Sequence, residues 1–578
     1  MSRRIPLSQL MKAGVLYHYR SLAVDIGAPL RALNMNAGKP TVFHDIRPSF
    51  VYGDKKTAEA VLKGHFEYAG QKLDVGSQGD PWTVAVPSTR FATWLHSFSW
   101  MDDLAVSKDK NAAIRARSLT DKWIAIYGKW NPFAWTPDVL TDRLYHWLSV
   151  WSPLLSGDNL SEAAQLRRSS VLRQMKRLRT VYRRTTPGLP RLKAAAVLAM
   201  GGARLKEKSD GFMSRGLDWL DDEIDAQILP DGGHVSRAPG QTIEALEILL
   251  TLDSLLQARG VEGSRSMSRA IDRLAPIVAF FTAADGKLVS FNGSGEGHPA
   301  RLKAVQKAAP KTTSKPFGYS PHTGYQRIEG EGTVLMVDTG ATPPHPYDAQ
   351  AHLAPLAFEL STELGRIVVN CGWSEQQPLN FRRPVRGTAA HSTLVLDDHS
   401  AGRLLKEGWG TKYLGEAVAV SAGPLNATRK EQVSGTWLEC SHEGYRAETG
   451  LSHRRRFYMS VEGDDIRGED SLFVPLGAVP FSNAEIPFQI SFHFHPDVRV
   501  SLSQDQQSAL LVQNGKAGWR FRTDGGPLSL EDSVYLGTGH KPVKCQQIII
   551  SGSAFCDSDG ETRSNRVRWS FRKLEARK

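Results

Sequence analysis

The spacing of apolar residues changes once along the chain, and this change limits the possible folds more than any other feature. Within residues 137–281 apolar positions recur at helical spacing. From Gly324 onward they alternate with polar positions between frequent turns, as in antiparallel strands. The chain is therefore predicted to be an α+β multidomain protein, with an N-terminal α/α barrel (toroid) followed by a C-terminal antiparallel β-sandwich. The predicted helices are 137–155, 160–183, 190–206, 212–228, 241–258 and 265–281.

Four segments follow from this division. Residues 1–90 mix strand-like and irregular pieces, and are predicted to form an N-terminal arm that packs on the helical domain. Residues 91–295 form the predicted toroid. Residues 296–320 contain Pro, Lys and Gly without periodicity and are interpreted as a linker, and 321–578 as the β-sandwich. A chain of 578 residues is also too long for one hydrophobic core.

The charge balance indicates what kind of partner the chain has. Lys and Arg outnumber Asp and Glu by 72 to 60, giving a formal net charge of +12. This favours an acidic partner such as an anionic polysaccharide, nucleic acid or a membrane surface. No recognised nucleic-acid-binding module accompanies the charge, so an acidic polysaccharide is predicted and nucleic acid is not.

The N-terminal residues and the length of the apolar segments give an expectation for the location of the protein. No segment is apolar enough to span a bilayer, and the first residues lack the apolar core of a signal peptide. The default expectation is therefore cytoplasmic, with the periplasm or cell envelope as the alternative. The four widely spaced cysteines are expected to be free thiols.

A short polar loop between two predicted helices is the strongest candidate site outside the sandwich. It contains His234, Ser236, Arg237 and Gln241 on a Gly-rich connection that permits tight turns. These side chains suit the binding of a carboxylate, although a helix cap with a structural loop is the alternative. Asn292, in a second polar turn, is a further candidate.

Trp94 and Trp100 open an aromatic helical region and leave two interpretations. The rings either pack in the core or line a sugar-binding cleft, because an indole ring can pack against the apolar face of a pyranose.

Three segments near the start of the predicted sandwich carry a family resemblance. They are 351–360, with His352 and Phe358-Glu-Leu; Val369-Asn-Cys-Gly372; and Arg386-Gly-Thr-Ala-Ala-His-Ser-Thr393. Together they resemble the motifs of the heparinase II/III family of polysaccharide lyases. Three positions depart from the family pattern: Gln350 replaces a first His, Ala354 an Asp, and Asn370 a metal-binding Asp.

The resemblance implies a zinc site and a reaction. Zinc would be held in the sandwich by His352, Asn370 and His391, with the neutral Asn370 weakening the site. The reaction would be β-elimination from a uronate polymer, which requires neutralisation of the carboxylate, a base at C5 and an acid at the leaving oxygen.

Roles in this reaction follow for the candidate residues. His234 and Arg237 are expected to neutralise the carboxylate and to line an open cleft between the domains, facing the segment from His345 to His352. The base is left open between His234 and His345. No tyrosine lies between His234 and the predicted linker, where the family has its catalytic one. Substrate-binding residues are expected to be Ser236, Gln241, Asn292, Trp94, Trp100 and Tyr325.

Two other functions compete with the lyase. The missing tyrosine and the altered zinc ligands favour a non-catalytic glycan-binding or envelope-polysaccharide biogenesis protein on the same scaffold. A glycoside hydrolase would need two carboxylates facing one cleft. Glu223, Asp225 and Asp231 precede the loop, but no pair among them stands out.

Overall fold

The computed structural model describes residues 8, 11, 15 and 42–574, the last range with gaps at 49, 159, 207–210, 312–315, 424, 476–484 and 557–564. Helices occupy the first half and strands the second, apart from a hairpin of β1 (His65–Tyr68) and β2 (Gln71–Asp74). The helices of the first half are α1 (Lys55–Lys63), α2 (Thr89–Ser97), α3 (Trp100–Ala105), α4 (Asn111–Tyr127), α5 (Pro137–Ser149), α6 (Glu162–Val181), α7 (Leu189–Arg204), α8 (Phe212–Gln227), α9 (Pro239–Gln257), α10 (Arg265–Phe280) and α11 (Pro299–Ala308).

Helices α5 to α10 confirm the six predicted helical segments, and a π-helical turn at Trp151–Leu155 completes the first of them. Local sequence explains where they begin. Proline in the first turn starts α5, α7 and α9, while Ser161 caps α6 by accepting the backbone N–H of Ala164. Helix α7 is apolar on almost every side and is buried among α5, α8 and α9, so it forms the centre of the helical domain.

The second half folds into two packed antiparallel sheets, which confirms the predicted sandwich. Two short helices, α12 (Trp409–Leu414) and α13 (Arg446–Thr449), interrupt it. The strands are β3 (Tyr319–Ser320), β4 (Tyr325–Gly330), β5 (Thr333–Asp338), β6 (Phe358–Thr362), β7 (Gly365–Val369), β8 (Leu394–Leu396), β9 (Arg403–Leu404), β10 (Val418–Val420), β11 (Leu425–Gln432), β12 (Gly435–His442), β13 (Ser452–Ser460), β14 (Asp465–Phe473), β15 (Glu485–Phe494), β16 (Val498–Leu502), β17 (Ser508–Gln513), β18 (Ala517–Thr523), β19 (Leu528–Tyr535), β20 (Val543–Phe555) and β21 (Arg566–Lys573).

One of the two sheets lies against the helical domain and the other faces away from it. One sheet has the order β11-β12-β13-β14-β21-β18-β17-β16. The other has the order β19-β20-β15-β7-β6-β5-β4-β3, with β8 also paired to β15, and it lies against the helical domain. Alternate residues of the strands face inward, and Phe358, Phe457, Phe492 and Trp569 pack together in the core.

The contact between the two domains is buried and polar. Arg366 on β7 is buried and donates to the carbonyl of Leu288 and to Ser290 Oγ at 3.0 Å. Glu296 accepts from His495 Nε2 at 3.0 Å and from Tyr535 Oη at 2.7 Å. Because a buried charge must be paired, these contacts fix how the domains meet.

The prediction of an irregular linker at 296–320 is wrong for a large part of that range. Glu296 is buried at the interface, and the next residues form α11, which packs against α9 and α10. Only a narrow apolar stripe, Leu302 and Val305, is buried on this helix. Such a stripe is too short to give a clear periodic signal.

Candidate functional site

A cleft of about 850 Å³ separates the helical domain from the sandwich and is the main candidate site. It is called the interdomain cleft below. Helices α5, α7, α9 and α11 supply one wall, and loops around Gly293, Trp373 and Gly537 supply the other. Its charged lining residues are Asp138, Asp142, Lys193, Glu244, Glu296, Arg301 and Glu375.

The two cationic side chains of the interdomain cleft are both held by carboxylates. Lys193 Nζ lies 2.9 Å from Asp142 Oδ1 and 2.8 Å from Glu244 Oε1. Arg301 pairs with both carboxylate oxygens of Glu247, with Nε 2.7 Å from Oε1. The lining therefore carries five carboxylates and two neutralised cations, so an anionic ligand would meet a negative potential.

A tyrosine and a histidine lie at one edge of this site. Tyr52 Oη is 2.9 Å from His298 Nδ1, and the backbone N–H of Ala300 also donates to that nitrogen at 3.2 Å. His298 lines the cleft, and Tyr52 lines an adjoining pocket of about 250 Å³ that shares Lys193 and Arg301 with it. Burial raises the pKa of the Tyr52 hydroxyl, with Asp54 adding to the effect.

A row of polar side chains crosses the cleft from one domain to the other. Gln241 Nε2 on α9 donates to Gln350 Oε1 at 2.9 Å, and Gln350 Nε2 donates to Glu375 Oε1 at 3.4 Å. Trp373 Nε1 donates to the same Glu375 oxygen at 3.2 Å. Gln241 thus lies on the cleft surface, and its contact with a substrate stays a prediction.

The other residues of the predicted loop are buried, and the prediction that His234 and Arg237 line an open cleft is wrong. His234 Nδ1 accepts the backbone N–H of Ser236 at 3.1 Å and lies 2.7 Å from Ser236 Oγ. Its other nitrogen, Nε2, lies 2.9 Å from Gln227 Oε1. Burial lowers the pKa of His234 to about 4, so the ring is neutral and fully bonded.

Arg237, Asn292 and Tyr325 form a buried network that joins the domains. Arg237 pairs with Asp338 at the end of β5, and its Nε donates to Thr323 O at 2.6 Å. Asn292 Nδ2 donates to Tyr325 Oη at 2.7 Å, and Tyr325 Oη donates to Arg237 O at 2.8 Å. Arg237 and Asn292 have left-handed backbone conformations, with φ of 61° and 49°. Their burial contradicts the predicted contacts with a substrate.

The remaining predicted contacts also lie away from the cleft lining. Trp100 is buried in the helical core, which contradicts its predicted stacking on a sugar. Trp94 is half-buried and stacks on Tyr68 with ring centroids 5.2 Å apart. His345 is half-buried beside Asp348, with Nδ1 3.1 Å from Oδ1, and is not among the residues that line the cleft.

His352 and His391, the two histidines that the resemblance assigns to zinc, lie within hydrogen-bonding distance of each other. The backbone N–H of Gly293 donates to His352 Nε2 at 3.0 Å, so the proton of a neutral ring lies on Nδ1. His352 Nδ1 then donates to His391 Nε2 at 2.8 Å, and His391 Nδ1 donates to Gly387 O at 2.8 Å. Burial lowers the pKa of His391 to about 3 and that of His352 well below its ordinary value.

This arrangement does not fit the zinc site that the resemblance implies. Each nitrogen of His352 and His391 is already engaged in a hydrogen bond. Asn370 Oδ1, the third expected ligand, accepts the N–H of Ser392 at 3.0 Å, and a neutral amide replaces the usual anion. Within the described residues, no cluster of three or more His, Cys, Asp and Glu side chains could hold a metal ion.

Comparisons with known proteins agree with this architecture. The sequence model described as Heparinase II/III-like, C-terminal, matches residues 312–570. FtsZ-localized protein C of Caulobacter vibrioides is 34% identical over 540 residues, which is 92% of this chain and 90% of that protein.

Solved structures share the fold at low sequence identity. The match to a crystal structure of heparinase III covers 99% of this chain and 92% of the heparinase III chain, with a TM-score of 0.65 and 16% sequence identity. Heparan sulfate lyase HepC from Pedobacter heparinus matches 99% of this chain and 91% of its own, with a TM-score of 0.58 and 16% identity. The toroid and sandwich thus form a polysaccharide-lyase-like scaffold. The chain belongs to the heparinase II/III-like family.

Several residues of the interdomain cleft could not have been found from the sequence. Asp142, Lys193 and Glu244 lie on three different helices, and Tyr52 is far from His298 in the chain. Only Asp138 and Asp142 gave a local signal, because residues four apart share one face of a helix. In the described chain, no helix is long and apolar enough to cross a membrane.

Proposed function

We propose that this chain binds a glycan in the interdomain cleft without cleaving it, as a cell-envelope protein on the heparinase II/III-like scaffold. The observation that carries the proposal is the bonded and buried state of the residues expected to perform elimination. His234 and Arg237, which were expected to act on the carboxylate, have hydrogen-bond partners within the protein and do not reach the cleft surface. Tyr325, an expected substrate contact, is buried and bonded in the same way, and His345, the other expected base, is half-buried beside Asp348 and outside the cleft lining.

Elimination also requires neutralisation of the uronate carboxylate, and the cationic side chains of the cleft are poor candidates for this role. Lys193 and Arg301 would have to leave carboxylates that already neutralise them. Lys193 is mostly buried, and a buried charge that loses its partner costs about 3–5 kcal/mol, so this exchange is unfavourable. The negative lining adds a further penalty for a uronate polymer.

The same lining suits a neutral glycan. Carboxylate and amide oxygens accept hydrogen bonds from sugar hydroxyls, and the amide nitrogens of Gln241 and Gln350 can donate to ring or hydroxyl oxygens. The row from Gln241 to Glu375 spans both walls, so one sugar unit could contact both domains.

The relative from Caulobacter vibrioides supports a role at the site of FtsZ. Its name states that it localises with FtsZ, and its similarity extends over nearly the whole chain. We therefore place this protein among division-site or envelope proteins rather than among secreted degradative enzymes.

The proposal is tested by binding of neutral and uronate oligosaccharides to the purified chain. Gln241→Ala and Gln350→Ala should each weaken binding of a neutral oligosaccharide about tenfold, because each removes hydrogen bonds worth about 1–1.5 kcal/mol. Gln257→Ala is the matched control, since Gln257 lies on the same helix, donates from its side chain to Asp253 and is not among the residues that line the cleft. Equal affinity of all three variants would contradict binding in the cleft.

One observation favours a second function. Tyr52 and His298 are the side-chain types that can serve as acid and base in β-elimination, and they lie in hydrogen-bonding contact at the cleft edge. If the chain yields unsaturated products that Tyr52→Phe abolishes, elimination belongs to this pair and the first proposal fails.

A further inference from the structure

The solvent face of the eight-stranded sheet is rich in arginine. On β13, β14, β18 and β21 the inward positions are apolar or bonded in the core, and the outward positions are rich in arginine. The outward arginines of these strands are Arg454, Arg456, Arg467, Arg520, Arg522, Arg566, Arg568 and Arg572. This surface, with the groove of about 560 Å³ that crosses it, is called the outer sheet face.

The strand register aligns the groove residues in a row. Trp437 on β12 pairs with Tyr458, Tyr458 with Arg467, Arg467 with Ser570, and Ser570 with Arg522. Five strands are crossed, so the row is about 19 Å long at 4.7–4.9 Å per strand. An extended chain several units long could lie along it.

The row offers an aromatic platform at one end. The Trp437 side chain is 44% exposed although it is large and apolar. Its ring lies 4.7 Å from that of Tyr458, and the Arg467 guanidinium lies 5.5 Å from the centre of the Tyr458 ring. An exposed indole supported in this way presents one rigid face to a ligand.

At the other end Arg522 lines the groove, and Arg520 and Arg572 lie beside it on the same face. Asp465, directly opposite Arg572, is already paired with Arg467 at 2.6 Å. Arg520 lies directly opposite Arg572, and Arg522 follows two residues later on the same face. Like charges at opposite positions destabilise a sheet. Within the described residues no ion pair involves Arg520, Arg522 or Arg572. The pKa of Asp505 is lowered by hydrogen bonds from Ser503 and Gln507, and the charge of Arg522 adds to this effect.

A second row of side chains, with alternating charges, indicates the kind of anion that this surface can bind. Glu439, Arg456, Glu469 and Arg568 alternate in sign across four strands, with Arg456 2.6 Å from Glu439 and 2.7 Å from Glu469. Hydroxyl groups distinguish a sugar chain from a single strand of DNA, because every sugar unit carries free hydroxyls that can donate to the carboxylates of this row. The mixture of arginine, carboxylate and aromatic ring therefore suits a sugar chain with spaced carboxylates.

We propose that the outer sheet face binds an acidic glycan, with pyranose stacking on Trp437 and carboxylates held by Arg520, Arg522 and Arg572. This site lies on the sheet remote from the interdomain cleft and does not depend on what the cleft binds.

The test measures binding of the purified chain to polygalacturonate, dextran and single-stranded DNA at two salt concentrations. Polygalacturonate should bind more tightly than either other polymer, and its affinity should fall as salt rises. Trp437→Ala should weaken this binding about tenfold, and the triple change Arg520→Ala, Arg522→Ala, Arg572→Ala by more than about tenfold. Unchanged melting temperatures would show that these surface variants fold.

The matched control is Arg499→Ala, because Arg499 is exposed on edge strand β16 of the same sheet but lies outside the groove. It should leave the affinity within about twofold, since surface charge alone contributes little. Equal loss in this control, tighter binding of DNA, or no binding of polygalacturonate at low salt would each overturn the proposal. If Gln241→Ala weakened the binding of polygalacturonate instead, the acidic glycan would bind in the interdomain cleft.

Discussion

Single residues show both what the sequence could indicate and what it could not. The closeness of His352 and His391 was predictable, because both match zinc ligands of the family that the sequence resembles. The burial of His234 was not, because a loop rich in Gly, Ser and Arg has the composition of a surface loop. Its polar groups are instead satisfied by Gln227 and by backbone groups, as burial requires.

The neutral His234 ring predicts a dependence of stability on pH. Its pKa is about 4 in the folded chain and 6.5 when unperturbed, so between these values the unfolded chain binds more protons. Stability from this group is therefore fully present above pH 6.5 and falls as the pH drops towards 4. Between pH 7 and pH 5 the free energy of unfolding should fall by about 2 kcal/mol through this residue.

Urea unfolding at pH 7 and pH 5 measures this difference. His234→Gln should reduce the difference between the two pH values by about 2 kcal/mol relative to the unchanged chain. His399→Gln is the control, because His399 is exposed, and it should keep the full difference. If His234→Gln and the unchanged chain lose equal stability, the ring is not buried in its neutral form.

At the scale of elements, the periodic helices and strands were predictable and their junctions were not. Helices α5 to α10 carry wide apolar faces. Helix α11 has only a short apolar stripe, so its sequence resembles that of a linker. The loop between α8 and α9 was recognised as special. This loop is joined to β5 because Arg237 pairs with Asp338, which lies about a hundred residues further along the chain. No local sequence pattern predicts a pairing over this distance.

This connection predicts that Arg237 acts on stability rather than on glycan binding. Arg237→Ala should lower the free energy of unfolding by about 3–5 kcal/mol, because it leaves Asp338 as an unpaired buried charge. Adding Asp338→Asn should restore part of the loss, which a double-mutant cycle measures. Arg215→Ala on the exposed face of α8 is the control, with an expected change within about 0.5 kcal/mol. Wild-type stability with lost glycan binding would assign Arg237 to the site.

At the scale of the whole molecule, the two candidate surfaces differ in sign. The net charge of +12 predicted an acidic partner, but the sequence could not say where that charge lies. The fold gathers carboxylates in the interdomain cleft and arginines on the outer sheet face. The two surfaces are therefore expected to favour different ligands.

Mass spectrometry of oligosaccharides incubated with the chain tests the central claim most directly. Elimination yields fragments whose masses sum to that of the parent, because no water is added, whereas hydrolysis adds the mass of one water to that sum. Neutral and uronate oligosaccharides should both be recovered intact, with the neutral one retained by the chain in a parallel binding measurement. Unsaturated uronate fragments that accumulate with time and disappear in Tyr52→Phe would contradict a non-cleaving glycan-binding protein.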